Sequence, residues 1–216
     1  MQSASEYLKR TESAVRKLFE GIDAYTAGIE RARMPVFVSS TLDKTKLDAE
    51  LDAWITENAA AIEAARAAQR DYFAESFALA TLCGAVLQVA AKGLERFSTN
   101  TAIPEDWVDV IKAKHSAVRY CIGRRVRHVP LGLIIYAGRN QHVHFGEGKL
   151  NKINTTVFAR LAIHHGRNND PTIRDPAFDL SNSLLVSFAH NVTALVDWRS
   201  YDAYERDLAA LLAVEP

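Results

Sequence analysis

Residues 134–144 read Ile-Ile-Tyr-Ala-Gly-Arg139-Asn140-Gln141-His142-Val143-His144. An apolar stretch thus ends on an arginine, an asparagine and two histidines. Cleaving a phosphodiester without a metal needs a base to take the 2′-OH proton and an acid for the leaving oxygen. Histidine, with an ordinary pKa near 6.5, does either near neutral pH. The reaction also needs fixed positive charge where the phosphate gathers negative charge, and the arginine fork suits this. Asn140 would orient either partner by hydrogen bonds. DNA lacks the 2′-OH, so the set favours RNA. On a helix, Asn140 and His144 share a face. Arg139 and His144 lie about 140° apart around the axis and about 7.5 Å along it. Bringing both onto one phosphate calls for a kink, an unwound end or a second copy of the helix.

The surrounding residues read two ways. Arg124 and Arg125, in Cys121-Ile-Gly-Arg-Arg-Val-Arg-His128, are candidate phosphate contacts or a solvated basic face. His142 is a further substrate-binding candidate. Tyr120 and Tyr136 would stack on a base or pack in the core. His142-x-His144 and His164-His165 are pairs, without a carboxylate or thiol at ligand spacing beside them, so no metal is expected. No Gly-rich phosphate loop and no G-x-S-x-G element occurs, and no cofactor is expected.

The charge pattern singles out the same region. The chain has 26 basic and 26 acidic residues in 216. From Val110 to Gly146 there is no Asp or Glu, while Lys112, Lys114, Arg119, Arg124, Arg125, Arg127 and Arg139 fall inside, with four of the seven histidines. Taking those seven from 26 leaves 19 basic residues against 26 acidic ones, a net of −7. A +7 block in a −7 body is the footprint of a polyanion site, or of contacts to acidic groups of the same protein. The neutral sum excludes a chain that coats nucleic acid over its whole surface.

Helices must position these residues. Gly and Pro are few and no apolar/polar alternation marks a strand. The pattern predicts helices over 3–33, from a Thr41 or Asp43 cap through Ile55, 60–97, 104–111, 113–127, 130–144, 153–165, 179–197 and 200–213. Phe145-Gly-Glu-Gly148 would break the sixth, and 166–176 reads as a polar loop. Pro130 suits a helix start, so Leu131–Ala137 reads as helix although its composition would suit a strand. Phe77–Ala91 is shorter than the roughly 20 residues of a spanning helix and reads as core. The start of the chain shows no signal-peptide pattern, and Cys83 and Cys121 read as core thiols of a reducing cytoplasm. The expectation is one all-α domain over 1–216, with an N-terminal helical extension (1–62) and a core (63–216).

Arg139-Asn140-x-x-x-His144 resembles the signature of the HEPN superfamily: Arg, a polar residue, then His after four to six intervening positions. Many of its members are metal-independent endoribonucleases. The resemblance implies a dimerising helical bundle in which two motifs meet in one cleft, with Arg139 and His144 as the catalytic pair and Asn140 in support. It also implies a toxin or anti-phage defence setting, RNA as substrate and a possible antitoxin or regulatory partner. His142 has no fixed family role. A looser match, Arg160-Leu-Ala-Ile-His-His165, lacks the polar second residue and reads as incidental. The alternatives are a HEPN-like dimer that binds RNA or protein without cutting, and a structural helical protein whose basic block docks on an acidic partner. In the last, Arg139 and His144 only cap a helix C-terminus.

Overall fold

The computed structural model describes residues 3–31, 34–145, 150–163, 174–183, 185 and 187–214. Seven α-helices carry the described chain: α1 (Ala4–Arg31), α2 (Lys44–Glu57), α3 (Ala59–Phe97), α4 (Leu131–Val143), α5 (Lys152–Ile163), α6 (Ala189–Leu195) and α7 (Tyr201–Leu211). Two 3-10 turns, Glu105–Trp107 and Ser116–Tyr120, lie between α3 and α4. The fold is all-α, apart from one minimal antiparallel pair, β1 (Arg125–Val126) with β2 (Val129–Pro130).

Several ends follow from local chemistry. Asp43 caps α2, its side chain accepting from the Thr45 and Lys46 N–H groups. Ser200 caps α7 in the same way, through the Ala203 N–H. Pro130 stands just before α4 as its cap residue, and Leu131–Ala137 is helical as expected.

Three expected helices are corrected. The segment 104–111 is helical only over the 3-10 turn Glu105–Trp107. The segment 113–127 is not one helix. His115 Nδ1 accepts the Ala117 N–H at 3.0 Å and starts only the 3-10 turn, and Gly123, at φ 90°, turns the chain away. The hairpin follows, with Arg127 and His128 at φ 48° and 65°, the left-handed pair of a two-residue hairpin turn. Arg127 is held there by the Leu161 carbonyl and Asp175. The segment 179–197 is helical only over α6. Before it, Asp175 and Asp179 accept the N–H groups of Ala177 and Ser181, two residues on, which makes turns. The expected break at 146–148, the loop 166–173 and the His164-His165 pair lie outside the described residues.

The chain forms two compact units, 22–78 and 1–21 with 79–216. The expected boundary at 62/63 falls inside α3. The 22–78 unit has ten acidic and six basic residues, a net of −4, and the other has 16 and 20, a net of +4. In the 22–78 unit α2 buries none of its residues, and Phe37 packs at a tilt against Trp54, ring centres 5.6 Å apart.

The larger unit holds the main core. Glu75–Phe97 has the length and apolarity of a spanning helix, and its Leu79, Cys83, Val86, Leu87, Ala90 and Leu94 are buried within the protein. α4 is central: Leu131, Leu133, Ile134, Ile135 and Ala137 are all buried, and it packs on α5, α6 and the Ser116–Tyr120 turn. Each of these Leu and Ile side chains contributes about 1.5–3 kcal/mol. Gly132 and Gly138 let neighbours approach it: a Cβ at Gly132 would strike the Tyr120 backbone carbonyl, and one at Gly138 would meet Leu87 and Val192 at 3.1 Å. The last turn of this core helix presents the motif.

Candidate active site

Arg139 and Asn140 line a cavity of about 690 Å³. Its walls come from the end of α3, residues 100–101, residues 113–120 and α4. Arg139 is braced from two helices. Its Nε donates to Gln88 Oε1 on α3 at 2.7 Å, and its Nη1 to Asn140 Oδ1 at 2.7 Å. Asn140 is buried and its Nδ2 donates on to Asn154 Oδ1 of α5 at 3.4 Å. This polar chain across α3, α4 and α5 fixes the guanidinium before any ligand arrives, which lowers the ordering cost of binding.

Tyr136 also lines the cavity and packs at a tilt against Tyr120, ring centres 5.0 Å apart. Tyr120 donates its hydroxyl to the Ala91 carbonyl at 3.0 Å, and burial pushes its pKa up to about 12. It is a neutral wall, and Tyr136 is the ring that borders the open space.

His144 is placed differently. It ends α4 as a half-buried cap residue, its backbone N–H donating to the Asn140 carbonyl at 3.0 Å. Its Nδ1 is shielded from solvent. The helix stays regular up to it, so neither a kink nor an unwound end swings His144 toward Arg139, and His144 does not line the cavity. His142 points elsewhere again, packing against Gly84 of α3 with its Nδ1 2.9 Å from Ser187 Oγ. Burial lowers its pKa.

Arg124 and Arg125 lie outside the cavity and are engaged inside the protein. Arg124 holds Asp207 in a two-pronged pair and the Val196 carbonyl. Arg125 holds Asp106 in a second such pair, and Arg160 holds the same carboxylate from α5. Hydrogen bonding from Arg125, and then from Arg160, drives Asp106 down to about 2. With the Arg127–Asp175 pair at 2.7 Å, three of the seven basic residues in the acid-free window serve carboxylates of the same chain.

Lys114, His115 and Arg119 join Arg139 in the cavity, and Glu95 faces them. Glu95 is bonded to Lys92 at 2.6 Å; that bond, then Arg139 and Arg119, keep its carboxyl below the ordinary range. Arg119 Nη1 also donates to the Glu95 backbone carbonyl. Sequence spacing did not single these residues out, because 20 to 44 positions separate them from Arg139. Membership of the acid-free window was the one signal that Lys114, His115 and Arg119 gave, and Glu95 gave none. Among the described residues, no group of three or more His, Cys, Asp or Glu is placed to hold a metal.

The cavity therefore offers fixed cations, a hydrogen-bonded amide and an aromatic edge, the means to bind a phosphate beside a base. The chain matches no protein-family model, no curated protein and no solved structure.

Proposed function

We propose that the chain is a metal-independent endoribonuclease of the HEPN type, acting as a dimer on RNA. The carrying observation is Arg139, locked by Gln88 and Asn140, at the edge of a cavity with Lys114, Arg119 and Tyr136. Arg139 would stabilise the charge that gathers on the phosphate, and Asn140 holds it in place. His144 would move the proton. Because it lies outside the cavity of its own chain, the partner's motif must complete the site. The buried Cys83 and Cys121 are free, and burial raises both thiols to about 11, which suits a reducing cytoplasm. A toxin or defence setting with an antitoxin or regulatory partner completes the reading.

The test is cleavage of single-stranded RNA in EDTA. Arg139→Ala and His144→Ala should each lower the rate by about 10²–10⁴ while the fold and dimer persist. Mixing the two inactive variants should restore part of the activity if the site is shared between chains. RNA left whole by the wild-type dimer would end the proposal.

A second reading has its own support. With His144 outside the cavity, the same cations suit RNA binding without turnover. Salt-dependent affinity for uncut RNA would establish it.

A further inference from the structure

The cavity's charge points to one kind of phosphate. Lys114, Arg119 and Arg139 line it against the single carboxylate Glu95, a net of about +2, and Glu95 is itself matched by Lys92. His115 adds a directed donor: its Nδ1 accepts the Ala117 N–H, so in the neutral ring the proton sits on Nε2. Asn100 adds an acceptor. Both its amide hydrogens are taken, by the Ala102 carbonyl at 2.8 Å and the Val118 carbonyl at 2.7 Å, which leaves Oδ1 for a ligand. An internal phosphodiester carries one negative charge, whereas a terminal phosphate carries close to two at neutral pH and three strong acceptor oxygens. The volume, about 690 Å³, falls inside the range of about 300–1,000 Å³ usual for small-ligand sites.

We propose that this cavity binds a phosphomonoester, the terminal phosphate of an RNA end or of a free nucleotide, with Lys114, His115 and Arg119 forming the wall opposite Arg139. The phosphate lies among the cations, the nucleoside against Tyr136, and Asn100 Oδ1 accepts from an N–H of the base. The site shares Arg139 and the cavity with the nuclease reading and goes beyond it, since the phosphate placed here is a terminal one and not the phosphodiester to be cut. It does not require the strand to be cut.

Isothermal titration of the full chain at neutral pH tests this with inorganic phosphate, AMP, the unphosphorylated dinucleotide ApA and its 5′-phosphorylated form pApA. AMP and pApA should bind at least about tenfold more tightly than ApA, and inorganic phosphate should compete with both. Tighter pApA than AMP identifies an RNA end as the ligand, and the reverse identifies a free nucleotide. Lys114→Gln and Arg119→Gln should each weaken AMP by about tenfold. Glu95→Gln should strengthen it, a change of sign that a merely disturbed fold would not give. Circular dichroism checks the fold of each variant. Equal affinity for ApA and pApA, or an unchanged affinity in both Lys114→Gln and Arg119→Gln, overturns the proposal. Tight pApA binding by a chain that leaves RNA whole rejects the nuclease and keeps this site. RNA cleavage with no preference for the phosphorylated end does the opposite.

Discussion

Two titrating residues carry predictions of their own. Burial favours the neutral ring of His142, so its folded pKa lies below the unfolded value of about 6.5. Between the two values the unfolded chain holds more protons, so this contribution is complete above about pH 6.5 and fades as pH falls through the folded value. His190, also lowered by burial, acts with the same sign. The melting temperature should fall between pH 7 and about pH 5, and His142→Gln should flatten that slope; an identical slope in the variant would refute the assignment. Asp106 acts in a lower window. Its carboxylate, bonded first to Arg125, is held at about 2, so its contribution stands above about pH 4 and is lost as pH falls toward 2. Asp106→Asn should remove this second acid step, read by thermal melts across the same range. At this scale the sequence put Arg139 and Asn140 together near the end of one helix, and both line the cavity with Tyr136, while His144, expected on the face of Asn140, does not. It could not show Gln88, Asn100 or Lys114, whose approach depends on how α3 and the 100–120 segment pack.

Among the elements, the seat of the Ser116–Tyr120 turn on α4 decides whether the cavity exists. Gly132 lies under the Tyr120 carbonyl and donates its N–H to the Ile122 carbonyl at 3.1 Å. A methyl group there meets backbone, which cannot rotate away. Gly132→Ala should cost about 1–3 kcal/mol in urea denaturation and displace the Tyr120–Tyr136 pair, visible in tyrosine fluorescence. A cost below about 0.5 kcal/mol, within the range of ordinary surface changes, would contradict this seat. The long helices were legible from periodicity: α1, α3, α5 and α7 lie within a few residues of where the pattern put them, and Asp43 announced α2. Two of the misses have a local cause in side-chain hydrogen bonds. At 113–127 the His115 side chain takes the Ala117 N–H that a helix from 113 would have used, and before α6 the Asp175 and Asp179 side chains close turns onto Ala177 and Ser181. Composition alone does not reveal that competition. The hairpin was hidden because Arg127 and His128 fill positions that Asn-Gly usually marks.

For the whole molecule, the charge pattern of the sequence divides into two uses. Arg124, Arg125 and Arg127 are tied to Asp207, Asp106 and Asp175, so much of the acid-free block fastens the fold. The cations left to the cavity are few, which fits the single phosphate proposed for it. The division into compact units adds another consequence. A −4 unit and a +4 unit share one chain whose sum is zero. Chromatography should expose this: at neutral pH and low salt, a protein at its isoelectric point ordinarily passes through either resin. This one should be retained by both cation and anion exchangers and elute from each with modest salt, since each unit carries a net charge of its own. Passage through both columns would mean that the division of charge between the units does not govern how the chain meets a charged surface.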